Sequence, residues 1–393
     1  MLRPMIERRL LPAAKKCLSG FPIVAITGPR QAGKTTLARQ LGKDRPYVSL
    51  EDPDARAFAD SDPRGFLGQF PQGAVLDEIQ RCPSLFSFLQ GIVDAKRRMG
   101  MFILTGSQQF GLVDAITQSL AGRVAMLNLF PFSLPELLAA DKAPSTLDEL
   151  LSAGLFPPIH DRPVAPDAWL KSYVATYLER DVRQSLKVQD LATFQRFVQL
   201  CAGRIGQLLN ITSLASDAGI SRQTAEAWLS VLQASFLVFL VRPHFANLSK
   251  RLIKAPKLYF CDTGLAGWLI GIREASHMAG HPLRGSLFEN WVITEMLKEQ
   301  ANRGNEISVH FWRDKEGHEV DAVVESGEMI HAVEIKSGQT VGSDFFDNLT
   351  FWRNQAKRQK IRPWLVYGGT TAQTREQGTV VPWVGIEKFL KAI

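Results

Sequence analysis

Gly28-Pro29-Arg30-Gln31-Ala32-Gly33-Lys34-Thr35 fits the phosphate-loop pattern G-x-x-x-x-G-K-[ST] at every position. Each residue type has a mechanical reason to be there. Glycines let the backbone fold into a concave nest whose N–H groups point at phosphate oxygens. Lys34 can reach the β- and γ-phosphates and the Thr35 hydroxyl can sit on Mg²⁺, with Thr36 following. Upstream, Pro22-Ile23-Val24-Ala25-Ile26 reads as a buried strand, and Thr35 to Leu41 reads as a helix whose N-terminus favours anions. The pattern predicts a nucleoside triphosphate, ATP, with Mg²⁺.

Outward from this loop, further apolar runs arrive at the intervals of an α/β fold: Pro46–Leu50, Ala74–Leu76, Met101–Thr105 and Val124–Leu129. The third strand of the series, Ala74-Val75-Leu76, runs directly into Asp77-Glu78. An acid at such a strand tip orders Mg²⁺, and a second carboxylate beside it can polarise the attacking water. Asp77 is therefore expected to hold the metal and Glu78 to act as general base.

The run from Gly28 to Glu136 resembles the AAA-type ATPases of bacteria and archaea that carry an appended domain of the DUF4143 type. The resemblance rests on Val75-Leu76-Asp77-Glu78-Ile79-Gln80, Ile103-Leu104-Thr105-Gly106-Ser107, Ser119-Leu120-Ala121-Gly122-Arg123-Val124 and Leu129-Phe130-Pro131-Phe132-Ser133-Leu134-Pro135-Glu136. It implies that Ser107 occupies the sensor position that reads the γ-phosphate. It implies, too, that Arg123 is an arginine finger offered to a neighbouring subunit, in a ring, of which a hexamer is one form, or a filament of identical chains. An ordinary surface arginine, or one acting in cis on its own chain's nucleotide, is the alternative at Arg123, and a strand-end hydroxyl without a ligand is the alternative at Ser107.

From Thr146 to about Val241 the sequence turns helical. Trp169 to Lys187 carries apolar residues near helical spacing, including the segment Tyr177-Leu178-Glu179-Arg180-Asp181 shared with the same family. In residues 212–232, Leu214-Ala215 opens one short helix, Gly219-Ile220 makes a turn and Ser221 can cap a second. Thr224, Trp228, Leu229 and Leu232 are expected on its inner face, leaving Arg222, Gln223 and Glu226 outward where DNA-groove contacts are made. A structural lid or a protein-docking surface is the competing reading, since no basic cluster surrounds the motif.

Near the other end, Glu319–Glu325 and Ile330–Lys336 are strand-like and joined by Ser326-Gly327-Glu328-Met329. A hairpin of that length sets Asp321 roughly opposite Glu334, and the period of two puts Lys336 on the same face. Two carboxylates and a lysine on one point suit phosphodiester cleavage with Mg²⁺ or Mn²⁺. The arrangement resembles the PD-(D/E)xK nuclease superfamily, with Asp321 as its aspartate and Glu334-Ile335-Lys336 as its E-x-K. The residue in the place of the superfamily's proline is Val320. The resemblance implies a further metal acid at Glu289, in the helix beginning near Gly285. Arg313 and His318 are candidates for phosphate contact, with solvent-facing roles the equal alternative, and Asp262 matches the family without an evident physical role.

Composition adds limits. The chain has 393 residues, 45% hydrophobic and 22% charged, with a formal charge of +7. That is ordinary for a globular protein, and compatible with nucleic acid without requiring it. The four cysteines form no C-x-x-C pair, so neither zinc nor a disulfide framework is expected. There is no signal-peptide pattern at the N-terminus and no apolar run near the ~18 residues needed to span a bilayer, so a soluble cytoplasmic protein is expected.

The whole reads as α/β, in three parts: a P-loop AAA-type ATPase with a parallel sheet (1–140), a helical winged-helix-like lid (141–250) and a restriction-endonuclease-like domain (251–393). The leading expectation is an oligomeric ATP-driven machine that moves along or remodels duplex or branched DNA and cuts it with metal help. The alternative is an ATP-dependent switch whose nuclease-like fold grips DNA or protein without cutting; a protein-remodelling ATPase is a weaker third.

Overall fold

A computed structural model describes residues 5–107, 120–176, 190–244, 254–355 and 360–393. Gln108, Ser119 and the segment Tyr177–Asp181 lie outside the described residues. The chain divides into two compact units: Met1–Phe132 with Leu232–Leu237 and Gln300–Glu306, and Ser133–Val231 with Val238–Glu299 and Ile307–Ile393.

Among the described residues of the first unit, five parallel strands form one sheet in the order β2-β3-β4-β1-β5. They are β1 (Ile23–Thr27), β2 (Tyr47–Ser49), β3 (Val75–Asp77), β4 (Phe102–Gly106) and β5 (Val124–Asn128). β1 and β4 are buried along their full length, as strands covered on both faces must be. Alternation sends Ile23, Ala25 and Leu104 to one face, against α3 (Leu85–Lys96) through Leu85, Phe86, Leu89 and Val93. Val24, Ile26 and Ile103 go to the other, against α1 (Leu11–Gly20) and α2 (Lys34–Leu41). Each fully buried Val, Ile or Leu side chain among these contributes ~1.5–3 kcal/mol. Because all strands run the same way, Thr27, Asp77 and Gly106 end at one edge of the sheet, where open α/β sheets bind ligands.

In the second unit, α4 (Leu191–Ala202), α5 (Ile211–Ala218) and α6 (Arg222–Ala234) build the expected helix-turn-helix. Asn210 caps α5, Gly219 leaves it in the left-handed region at φ +75°, and Ser221 Oγ accepts from Thr224 N at 3.0 Å. Ala225, Trp228, Leu229 and Leu232 are buried, and Trp228 meets Phe194 and Phe197 edge-on. Thr224 is only half-buried because its hydroxyl stays at the cap, 2.8 Å from Ser221 Oγ; Ala225 takes the inner position expected for it.

An eight-stranded sheet among the described residues has the order β12-β13-β11-β10-β9-β8-β6-β7. Its strands are β6 (Val238–Pro243), β7 (Lys257–Phe260), β8 (His310–Arg313), β9 (Glu319–Ser326), β10 (Met329–Lys336), β11 (Lys360–Tyr367), β12 (Gln373–Arg375) and β13 (Gly378–Pro382). The strand that follows the helix-turn-helix, β6, is thus part of this sheet, pairing with β7 on one side and β8 on the other. Asp262 caps α7 (Thr263–Leu269), accepting from Leu265 N at 2.9 Å, and also accepts from Leu155 N at 2.7 Å, which is a structural role. The long α8 (Arg284–Asn302) precedes β8, and α9 (Asp347–Gln355) connects β10 to β11. Trp312, Val323, Leu349, Trp352 and Leu365 pack together beneath the β8–β11 strands.

Candidate nucleotide site and carboxylate cluster

The phosphate loop bends through three positive-φ residues, Gly28 (+148°), Gln31 (+64°) and Gly33 (+93°). At Gly28 only glycine fits, since a Cβ there would stand 2.0 Å from the Leu129 carbonyl oxygen. Lys34 folds back over the loop and donates to the carbonyls of Gly28 (3.0 Å) and Pro29 (2.9 Å). Its burial pulls the ammonium pKa down to about 8, against the attraction of Glu78 and Asp77. Arg30 faces Glu51 at 3.6 Å, and Thr36 is exposed on the first turn of α2. Arg8 braces the loop from the far N-terminal side: its guanidinium donates to Ala32 O (2.7 Å) and Phe130 O (2.6 Å).

Asp77, at the tip of β3, is buried and collects three hydroxyl donors. Thr35 Oγ1 lies 3.0 and 3.1 Å from its two oxygens, Tyr47 donates to Oδ2 at 2.8 Å, and Thr105 donates to Oδ1. Beside it, Glu78 sits in the left-handed region at φ +56°, a conformation that costs about 1 kcal/mol or more outside glycine. That turn aims the carboxylate at Ser107, whose Oγ donates to Glu78 Oε2 at 2.9 Å, and at Gln80, which donates to the same oxygen. Thr35, Asp77, Glu78 and Ser107 are therefore brought together at one sheet edge. This hard-oxygen set of a threonine hydroxyl and a carboxylate fits Mg²⁺.

Arg123 is not at this edge. It immediately precedes β5, whose Val124 lies level with Ile23 at the start of β1, a full strand of ~16 Å from the loop. It holds Asp94 with two bonds, Nε–Oδ1 2.6 Å and Nη2–Oδ2 2.8 Å. A role on its own chain's phosphates is excluded by that distance.

In the second unit, the β9–β10 register pairs Ala322 with Val333, so Asp321 stands across from Glu334. A two-residue turn, Gly327-Glu328, sets this register, with Gly327 at φ +61°. Asp321 Oδ2 accepts from Ile335 N at 2.7 Å, and Lys336 Nζ lies 2.6 Å from Glu334 Oε1. Burial and the neighbouring carboxylates Glu334 and Glu289 push Asp321 well above the usual carboxylate range, while Lys257 and Lys336 pull the other way. Burial raises Glu334 as well, opposed by Lys336 and more weakly by Asn348. Glu334 Oε2 is buried without a bonded donor. Two buried oxygens under mutual repulsion, beside a lysine, are a donor set that fits one divalent cation.

Glu289, on α8, also faces this cluster, but it is engaged. Lys257 Nζ lies 2.8 Å from Glu289 Oε1, and Tyr259 donates to the same atom at 2.5 Å. Lys257 also pairs with Glu319, whose other oxygen takes Arg313 at 2.9 Å. Burial works against the charge of Lys257, but Glu289, Asp321 and Glu319 outweigh it and raise its pKa. Lys257, Tyr259 and Glu319 were not legible as site residues. His318 stacks on Phe351 and bonds Asp314, while Arg313 pairs with Glu319. Asp314, Glu316 and His318 do lie close enough to share an ion, yet Asp314 is already committed to the turn, accepting from Glu316 N and His318 N. Arg222 and Gln223 are exposed at the start of α6, and Arg222 pairs with Glu226 at 2.8 Å.

Known families cover most of the chain. Residues 20–138 match a family described as AAA domain, 144–276 one described as domain of unknown function DUF8612, and 284–386 one described as domain of unknown function DUF4143. The uncharacterized protein Rv2008c of Mycobacterium tuberculosis (strain ATCC 25618 / H37Rv) is 34% identical over 342 residues, spanning 86% of this chain and 75% of that protein. The same figures hold for Mb2031c of Mycobacterium bovis. The chain belongs to the family of these two proteins. Within it, residues 20–138 form an AAA domain whose parallel sheet fits a P-loop NTPase fold. Similar solved structures include the Walker-type ATPase PABY2304 of Pyrococcus abyssi, 15% identical, covering 68% of this chain and 99% of that one at a TM-score of 0.45. AMPPCP-bound DnaA from Aquifex aeolicus is 14% identical, covering 57% and 85% at a TM-score of 0.30. Among the described residues, no helix is long and apolar enough to cross a membrane, and all four cysteines are free.

Proposed function

We propose that this family member hydrolyses ATP to drive an oligomeric, DNA-acting assembly, and that its C-terminal domain is a PD-(D/E)xK-like nuclease that cuts DNA with metal help. In the first site, Lys34 and the loop backbone bind the triphosphate. Thr35 and Asp77 hold Mg²⁺, which when bound supplies positive charge against the β- and γ-phosphates. Glu78 takes the proton of the attacking water, oriented by Ser107 and Gln80. The distance of Arg123 from its own loop supports its use on the next subunit of a ring. For DNA, Arg222 and Gln223 are the exposed residues at the head of the second helix.

The nuclease reading is carried by one observation: Asp321, Glu334 and Lys336 converge, with Glu334 Oε2 buried and lacking a donor. Asp321 and Glu334 would hold Mg²⁺ or Mn²⁺, which supplies Lewis acidity toward a phosphodiester. Lys336 would steady the attacking water or the charge that builds on phosphorus. The test is nicking of supercoiled plasmid with Mg²⁺ and ATP. Asp321→Ala should end nicking and spare ATP turnover, whereas Lys34→Ala should end turnover. Equal nicking by Asp321→Ala and the parent would refute the assignment.

The second reading is an ATP-dependent switch whose C-terminal domain grips DNA or protein without cutting. The engagement of Glu289 by Lys257 and Tyr259 favours it, because that acid is then not offered to a metal. DNA-stimulated ATP turnover without any nicking is its expected signature.

A further inference from the structure

The carboxylate cluster holds a cation of its own. Glu289, Glu319, Asp321 and Glu334 face Lys257, Lys336 and Arg313, so four acids meet three bases in a largely buried space. Lys257 is 3% exposed, with its ammonium between Glu289 and Glu319 and 5.5 Å from the Phe311 ring centroid. Its backbone cannot swing this charge away. Leu209 N donates to Pro256 O at 2.7 Å, Leu258 N to Gln207 O at 3.2 Å and Gly206 N to Leu258 O at 2.8 Å, while β6 pairs along the other side. Tyr259, two residues on along β7, adds its hydroxyl to Glu289. An ammonium is a compact point charge, and carboxylate oxygens that grip it are those a hard divalent ion would use.

The geometry points to Lys257 as a resident cation that fills the Glu289/Glu319 half of the cluster, so that only the Asp321/Glu334 half takes a divalent ion. The site is thereby a one-metal site by construction of the chain, and Lys257 is the residue that sets this number. The inference rests on the metal reading of Asp321 and Glu334 for the second half of its statement, and on Lys257's own contacts for the first. Removing the ammonium leaves the oxygens of Glu289 and Glu319 without the cation between them, the pair of donors that a second divalent ion would take.

The experiment counts Mn²⁺ bound to the full-length, nucleotide-free chain by titration calorimetry, together with thermal melting with and without Mn²⁺. The parent should bind one Mn²⁺ that Asp321→Ala loses. Lys257→Met should bind one more than the parent, melt lower without Mn²⁺, and gain several degrees more than the parent when Mn²⁺ is added. Lys257→Met/Glu289→Gln should lose the extra ion and melt higher than Lys257→Met in metal-free buffer, because charge and countercharge have gone together. If Lys257→Met folds poorly, this double variant carries the test: no recovery in it overturns the inference. An unchanged Mn²⁺ count and an unchanged Mn²⁺ shift in Lys257→Met also overturn it. An extra ion in Lys257→Met with none in the parent supports the resident cation and sinks the metal reading at Asp321. One ion in the parent, lost in Asp321→Ala, with no gain in Lys257→Met does the reverse.

Discussion

Nucleotide binding should take up a proton, and Lys34 should be its source of demand. In the folded chain Lys34 is buried, and its pKa is lowered from 10.5 to about 8. At about 1.4 kcal/mol per unit, the fold opposes the charged form by roughly 3 kcal/mol. The sign follows from the direction. Below about pH 8 the lysine is protonated in both folded and unfolded chains, and the folded state bears the whole penalty. Between about pH 8 and 10.5 the unfolded chain binds a proton that the folded one does not, so folding stability from this group rises with pH across that window. Phosphate oxygens restore the ammonium, so binding ADP should take up ~0.1 proton at pH 7, ~0.5 at pH 8 and ~0.9 at pH 9, with affinity falling toward tenfold per unit above pH 8. Titration calorimetry in buffers of different ionisation enthalpy measures this uptake. Lys34→Arg, which stays charged throughout, supplies the baseline for the nucleotide's own protons. A dissociation constant flat from pH 7.5 to 9.5, with no uptake at pH 9, would refute the argument.

Asp321→Asn keeps the size of the side chain and an acceptor for Ile335 N–H while removing one of two buried, mutually repelling carboxylates; it should stabilise its unit by about 1 kcal/mol, ~2–4 °C in melting temperature, while abolishing nicking. A lower melting point would mean that Asp321 is a strut rather than a strained site residue. Gly28→Ala should abolish nucleotide binding and cost at least about 2 kcal/mol, because its Cβ would collide with Leu129 O at a backbone angle of +148°; nucleotide fluorescence and melting curves read both. Arg123→Ala should bind nucleotide like the parent and lose on the order of 10³ in turnover. Mixing it with Lys34→Ala should restore part of the activity if the finger acts between subunits, and turnover that stays absent in the mixture would count against the ring.

The nucleotide site was legible because its parts are local. Gly28 to Thr35 is one contiguous loop, and Asp77-Glu78 is a strand tip whose apolar run announces it. The pairing of Asp321 with Glu334 was legible for a similar reason, since a two-residue turn leaves one register. What escaped are the contacts made by distant residues. Arg8 reaches Ala32 and Phe130, Tyr47 reaches Asp77 across the β2–β3 pair, and Lys257 and Tyr259 reach Glu289 because β7 comes to lie beside α8. No spacing rule carries such contacts; sheet order and helix packing do. Glu78 in a left-handed turn was equally hidden, because a glutamate carries no local mark of positive φ. At the helix-turn-helix, capping was foreseeable from Ser221, but the choice of Ala225 over Thr224 for the inner face was decided by where the Thr224 hydroxyl found its partner.

The division of the first unit into three stretches of chain sets an order of events during synthesis. Phe236 meets Phe130 edge-to-face with ring centroids 6.1 Å apart, and Gly304 lies against Ala13 and Leu127, so the late stretches are fitted pieces of the same body. The ribosome delivers the last of them about 170 residues after Phe132. At ~5–20 residues per second that is a wait of roughly 10–35 s. The nascent ATPase must spend that interval with the five strands of its sheet and its phosphate loop already made and its closing pieces still unborn. Truncation at Phe132 would make the wait permanent.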